Sequence, residues 1–261
     1  MTSSIPTLVE IIRAQLGPAK GGVPASWHQG RTVFGGFSAA ISLAHAMTQA
    51  PLDGAALRGG QVSFIGPVSG QLSLKSEVLR EGRSITSIGT DLFSNGELGV
   101  RSVFFFGAER KSTVQHDGSP RPPAQSWEKY PLLFDRSNAP AFLHNFDIRP
   151  AGGAEPFSSS DTPEIIWWVK HLHADGLDPL IALVAMGDAL PPAAATGLNR
   201  PAPLSSVSWF FDIATVPRGE WFLLRSFSEQ AAFGYSIQQM DLWDESGVRV
   251  MTGRQTVAVF A

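Results

Sequence analysis

Cysteine is absent from this chain. Its absence excludes a disulfide framework, a thiolate nucleophile and a Cys-ligated metal at once. Charge is also sparse. Charged residues make up 16% of the 261, and 23 acidic side chains against 20 basic ones leave a net charge of −3. Binding nucleic acid or an anionic membrane surface through electrostatics needs a basic excess, so neither is expected as a partner. There is no phosphate loop. The most apolar stretch, within 178–192, is far shorter than the roughly 20 residues that span a bilayer. Met1-Thr-Ser-Ser-Ile-Pro6 lacks the basic region and apolar core of a signal peptide. The expectation is a soluble, cytoplasmic protein. What the chain does have is core: 43% of it is hydrophobic, enough for one large domain or two small ones.

That core is organised around Asp178-Pro-Leu-Ile-Ala-Leu-Val-Ala-Met-Gly-Asp-Ala-Leu-Pro-Pro192. Asp178 suits an N-cap and Pro179 suits the first helical position, where a missing N–H costs nothing. Pro191 and Pro192 forbid continuation. Between them the side chains are apolar on all faces, which predicts a helix buried all round. Asp188 sits in that segment. An unpaired buried charge costs several kcal/mol, so Asp188 needs partners or a wet cavity.

Elsewhere the pattern reads as two similar halves. Thr7 to Glu10 fits a capping box, and Leu8, Ile11, Ile12 and Leu16 mark one face of an outer helix, broken at Gly17–Gly22. Ala25–Gly30 reads as a short strand. Gly35-Gly36 opens a second small-residue, buried helix, from Phe37 to about Gln49, ended by Pro51. Strands follow at 58–65, 70–80, 84–94 and 98–106, joined by turns such as Asn95-Gly96. Such turns are too short for parallel crossovers, so the sheet is antiparallel. Residues 112–138 are polar and Pro-rich and read as a linker. Strands then recur at 142–149 and 164–172. After the Asp178 helix they continue at 204–213, 220–228, 234–244 and 248–260. Asp91-Leu-Phe before Asn95-Gly96 echoes Asp241-Leu-Trp before Ser246-Gly247. The pattern indicates a duplication, with an N-terminal unit over 1–111, the linker over 112–138 and a C-terminal unit over 139–261. The expected fold is α+β, a double hot-dog of two antiparallel sheets, each wrapped around a buried helix.

With that duplication in view, the chain resembles the acyl-CoA thioesterase II family, the double hot-dog thioesterases, over nearly its whole length. The resemblance rests on Val33-Phe34-Gly35-Gly36, Leu79-Arg-Glu-Gly-Arg-Ser84, Ala185-Met-Gly-Asp188, Ser208-Trp209-Phe210, Gly219-Glu220-Trp221 and Gly247-Val…Gln255. It implies an acyl-CoA substrate, hydrolysis to free acid and CoA, no cofactor, no metal, a role in lipid metabolism, and half-sheets that pair edge to edge within one chain. A homodimer is a further implication. The family's site is an Asp, a Thr or Ser, and a Gln that hold a water. Asp188 and Gln255 match two of these. Counting back from Trp209 places Pro203 at the hydroxyl position. Ser205 has the same strand parity as that position and Ser206 the opposite one, so Ser205 is favoured. Backbone donors at Gly35 and Gly36, in the first turn of the earlier helix, would polarise the thioester carbonyl. A largely apolar setting would raise the Asp188 pKa and make it a better base.

Other readings compete. A non-catalytic acyl-CoA-binding protein could keep this fold after losing the hydroxyl. A hot-dog dehydratase would need a His–acid arrangement at the helix, and no hydratase motif is recognisable. Gly36-Phe-Ser38-Ala-Ala40 resembles a nucleophile elbow, but the alternating βαβα architecture that such a site requires is missing. His171-x-His173 places two imidazoles on one strand face with no third metal ligand. His45 reads as a satisfied core or cavity residue.

Overall fold

The computed structural model describes residues 7–16, 22–50, 52, 54–118, 120–133 and 139–261. The expected break at Gly17–Gly22 lies almost entirely outside these residues, and Met1–Pro6 and Pro51 lie wholly outside them. The first helix, α1 (Leu8–Leu16), carries the capping box: Thr7 N–H donates to Glu10 at 2.7 Å and Glu10 N–H donates back to Thr7 Oγ1 at 3.2 Å. Its apolar face is buried at Leu8, Ile11 and Ile12 against α2 (Gly35–Ala46). The third helix is α3 (Pro179–Gly187), with Asp178 Oδ1 accepting from the Leu180 N–H at 2.8 Å. No helix among the described residues is long and apolar enough to cross a membrane.

Two residue pairs, β1 (His28–Gln29) and β2 (Thr32–Val33), form a small ribbon. All other strands belong to one ten-stranded sheet. In the first half they are β3 (Ala55–Phe64), β4 (Leu72–Glu81), β5 (Ile85–Ser94) and β6 (Glu97–Ala108). In the second they are β7 (Phe146–Gly153), β8 (Glu164–His171), β9 (Leu204–Ile213), β10 (Trp221–Ala232), β11 (Tyr235–Asp244) and β12 (Arg249–Val259). The order is β4-β5-β6-β3-β9-β12-β11-β10-β8-β7, antiparallel throughout. The expected double hot-dog is present. Its two antiparallel sheets join edge to edge at β3 and β9, with Val62 opposite Trp209. Within each half the strand order repeats, β4-β5-β6-β3 matching β10-β11-β12-β9.

The two small-residue helices lie on the inner face and pack against each other. They approach closely at Gly36, where an added Cβ would strike the Ala185 carbonyl oxygen. Glycine is needed at this position because the neighbouring atom is backbone and cannot turn aside. The Asn95-Gly96 turn has positive φ at both residues, 51° and 89°, the geometry that a tight hairpin demands.

Three local expectations change. The 25–30 strand is reduced to β1, because Ala25–Trp27 closes into a 3-10 turn. The 142–149 strand begins later, at Phe146, after a 3-10 turn over Ala141–Asn145. Asn145 holds that turn by donating to the Ser26 and Phe142 carbonyls at 2.7 and 3.0 Å. The Asp178 helix stops at Gly187, short of the prolines, so Asp188 caps the helix from just beyond its last turn.

The Pro-rich segment is also more than a tether. Trp127 stacks on Trp221 with ring centroids 4.9 Å apart, and Trp168 Nε1 donates to the Gln125 carbonyl at 3.0 Å. The Arg149 guanidinium lies 5.1 Å from the ring centres of both Trp127 and Trp221. Trp168, Trp221 and Trp243 therefore form a second small core on the outer face of the sheet.

The helix contact generates a direct test. Gly36→Ala should destabilise the fold by about 1–3 kcal/mol, the usual range for overpacking a tight contact. Urea denaturation would show this as a lowered midpoint with an unchanged m value.

Candidate active site

Asp188 follows the last turn of α3 in a non-helical conformation, φ −101° and ψ 10°. Gln255 Nε2 donates to its Oδ1 at 2.6 Å. The backbone N–H of Gly36, in the first turn of α2, donates to the same carboxylate. Three elements therefore meet at one carboxyl group: the end of α3, the start of α2 and the middle of β12. Gly35 makes room for it, since a Cβ there would stand 2.6 Å from Asp188 Oδ2 and 3.2 Å from the Phe64 ring.

The pairing of the strands explains why Gln255 is available. Gln238, Gln255, Trp209 and Val62 lie in one row across β11, β12, β9 and β3. Paired residues in an antiparallel ladder share a face, and this row is buried along its length, Gln255 at 2% exposure and Gln238 at 0%. Burial pushes the Asp188 carboxyl up from the ordinary 3.8 to about 7, against the opposing pull of the Gln255 amide and the Gly36 N–H. A carboxyl titrating there changes charge near neutral pH.

A cavity of about 570 Å³ opens beside this carboxyl, lined by Gly35, Asp188, Ser205, Ser206 and Gln255 among others. Its remaining walls are largely apolar, with Phe64, Val68, Phe142 and Leu190 contributing. Among the described residues that line it, Asp188 is the only ionisable side chain. The arrangement suits a proton acceptor next to an apolar substrate.

Of the two serines, the ladder turns Ser206 and not Ser205 toward Gln255. Ladder pairing runs Thr256 with Ser208 and then Val257 with Ser206, skipping Val207. That β-bulge adds one residue to β9 and reverses the parity beyond it. Ser206 turns inward, and its Oγ lies 3.4 Å from Gln255 Oε1. Ser205 pairs with Ala258 on the opposite face and is exposed at the cavity rim. The two glycines also separate in role. Gly36 is engaged by Asp188, whereas Gly35 lines the cavity.

The other candidate groups lie elsewhere or are engaged. Ser38 Oγ donates to the Phe34 carbonyl at 3.3 Å, and no histidine lines the cavity among the described residues. His45 Nδ1 meets Ser76 Oγ at 2.7 Å, near the other end of α2. His171 ends β8 with its ring near Trp27 and Phe146, and the His173 N–H donates to its Nδ1 at 3.2 Å. Burial, and secondarily His173, lowers the His171 pKa to about 4. No group of three or more potential ligands among the described residues could hold a metal.

One residue of the site was missed by sequence reasoning. Gln238 donates to Gln255 Oε1 at 2.9 Å. The available signal was its parity. Gln238 shares an inward face of β11 with Met240 and Leu242, where alternation calls for apolar residues.

Comparison with known proteins follows the same outline. Residues 23–107 match the acyl-CoA thioesterase N-terminal domain and residues 115–259 match the acyl-CoA thioesterase C-terminal domain. No curated protein matches the sequence. Among solved structures, a conserved hot-dog protein of unknown function from Alicyclobacillus acidocaldarius superposes with a TM-score of 0.83 at 21% identity, covering 96% of this chain and 98% of that one. The acyl-CoA thioesterase II TesB2 of Mycobacterium marinum superposes with a TM-score of 0.71 at 17% identity, covering 95% and 97%. The tesB protein of Mycobacterium avium subspecies paratuberculosis gives 0.75 at 16% identity, covering 96% and 98%. At these identities the structures speak for the fold.

The raised Asp188 pKa has a measurable consequence for stability. Between about pH 4 and pH 7 the folded state holds a proton that the unfolded chain has released. This contribution to stability is complete below the unfolded pKa and is lost as the pH rises through the folded one, a total of roughly 4 kcal/mol at 1.36 kcal/mol per unit. Urea unfolding of wild type and Asp188→Asn, compared at pH 5 and pH 8, should show wild type losing stability relative to the variant as pH rises.

Proposed function

The chain belongs to the acyl-CoA thioesterase family and is a thioester hydrolase, and from that premise we propose that it cleaves an acyl-CoA to free acid and CoA with a water held by Asp188, Gln255 and Ser206. The single observation that carries the site assignment is the half-buried Asp188 carboxylate, hydrogen-bonded to Gln255 and facing a largely apolar cavity. In this reading Asp188 is the general base. It takes a proton from the water as the water oxygen attacks the thioester carbon. The carbonyl oxygen becomes an oxyanion, which the backbone N–H of Gly35 in the first α2 turn stabilises. Collapse of the intermediate breaks the carbon–sulfur bond, and Asp188 returns its proton to the departing CoA sulfur. Water and thioester become acid and thiol, with no other reactant.

Several features support these roles. A base with a pKa near 7 combines ionisation at neutral pH with a useful affinity for the proton. Gln255 holds the carboxylate from β12, so its geometry is set by the sheet and not by a loop. The apolar walls suit an acyl chain. The dehydratase reading is disfavoured by the lack of a lining histidine among the described residues.

Thiol release from a panel of acyl-CoA substrates tests the proposal. Wild-type kcat/KM should rise with pH through about 7, as Asp188 ionises. Asp188→Asn should lose about 10²–10⁴-fold in kcat. Gln255→Ala should lose about 10²-fold through misplacement of the carboxylate. Ser206→Ala should cost more than Ser205→Ala. Wild-type protein that binds acyl-CoA tightly and releases no thiol would favour the non-catalytic binder instead.

A further inference from the structure

The Gln255 amide has two unlike ends, and only one of them serves an ionised Asp188. Nε2 can donate to the carboxylate; Oε1 in its place would set two acceptors against each other. When Asp188 is protonated, either end of the amide could meet it. Something else must therefore hold the amide in place throughout the cycle.

The direction is set two side chains away. Ala193 opens a short 3-10 turn, Ala193–Gly197, entered through Pro191 and Pro192. A backbone N–H in a first turn has no partner within its own helix, and that of Ala193 donates to Gln238 Oε1 at 3.0 Å. A backbone N–H can only donate, so it identifies which end of Gln238 is oxygen. Gln238 Nε2 is thereby turned toward Gln255 Oε1 at 2.9 Å, which leaves Gln255 Nε2 facing Asp188 at 2.6 Å. Ser206 Oγ also lies near Gln255 Oε1, at 3.4 Å, but a hydroxyl can rotate to donate or accept and imposes no direction.

The duplicated half offers an internal comparison. The registers Asp91–Arg101 and Asp241–Thr252 correspond, and three residues along each strand Ile88–Phe104 occupies the place of Gln238–Gln255. Counting from the first residue of each helix, Ala44 stands in α2 where Asp188 follows α3. The half without the acid has an apolar pair in place of both glutamines.

We propose that Gln238 is a positioning residue, which holds the Gln255 amide in the one orientation that donates to Asp188. Its kinetic consequence rests on the thioesterase reading of the site; the orientation itself does not. The surroundings leave little else to act on this chain of bonds. Asp188 is the only ionisable side chain lining the cavity among the described residues. On the neighbouring strands Arg225, Asp241, Arg249 and Arg254 turn to the other face of the sheet, Glu229 pairs with Arg254, and Asp244 lies at the end of β11. His45 lies in the last turn of α2, away from Gly36.

Two variants of the full chain test the assignment, each read by steady-state kinetics and by ¹³C-carboxyl NMR titration of Asp188. Gln238→Leu removes both the donor and the acceptor. Circular dichroism establishes that it is folded. Its kcat should fall about tenfold with KM unchanged, and the Asp188 titration should move to higher pH, because the amide is no longer preset for the carboxylate. Gln238→Glu provides the conservative rescue. While protonated, its carbonyl oxygen can accept from Ala193 and its hydroxyl can donate to Gln255, so kcat should stay within about threefold of wild type. Once it is ionised, Gln255 turns over and kcat should fall on the alkaline side, a limb that wild type lacks. Folded variants with lowered stability, wild-type kcat and an unmoved Asp188 titration would overturn the proposal and leave Gln238 as core packing. If wild type itself releases no thiol, the thioesterase reading fails. The Asp188 titration then decides the positioning role by the same two outcomes.

Discussion

The hydrogen bond from Gln255 Nε2 to Asp188 Oδ1 ties the end of α3 to β12, the last strand of the chain, within a largely apolar interior. A carboxylate in such a setting is costly unless its oxygens are matched by donors. The surrounding structure supplies them. Gly36 brings the first turn of α2 close enough to donate, and it can do so because neither Gly36 nor Gly35 carries a side chain. The helices must pack this tightly for the donor to reach. Equally, the sheet must hold Gln255 on its inner face. Burial still prevails over these donors, since the carboxyl titrates near 7 and well above the usual carboxylate range. The group is paired well enough to be tolerated and desolvated enough to suit the base role proposed for it.

The duplication makes this site single. Each half contributes the same strand order and one inner helix. To the proposed site the first half lends the start of its helix, and the second lends the acid, the glutamines and the serine. At the matching places of the first half stand Ala44, Ile88 and Phe104, all buried. A fused pair of similar units can let its two copies diverge, one toward donors and one toward acid–base chemistry, because each copy no longer has to supply both.

Much of this was legible in the amino-acid order. The capping box at Thr7, the cap at Asp178 and the Asn95-Gly96 turn are local signals, and each behaves as its neighbours dictate. The strand runs and the echo between the halves gave the double hot-dog, and Asp188 stood out as an acid in an apolar segment. Strand parity favours Ser205, whereas a bulge at Val207 breaks the alternation and turns Ser206 toward Gln255. Nothing within Leu204–Trp209 announces that bulge. It exists only in the pairing of β9 with β12. The polar composition of the Pro-rich segment indicates a linker and does not show that Trp127 and its neighbours cover the outer tryptophans of the sheet.

By itself, then, the sequence determined the elements, their repetition and the presence of a carboxyl group that had to be explained. Capping, turn chemistry and periodicity act over a few residues and can be read from a few residues. The tertiary structure alone decided which serine faces Gln255, how that amide is turned and which glycine serves Asp188. These depend on strand register and on helix-to-helix approach, which bring together residues as far apart as Gly36, Asp188, Gln238 and Gln255. No local pattern encodes a hydrogen bond between groups that meet only after the sheet has closed.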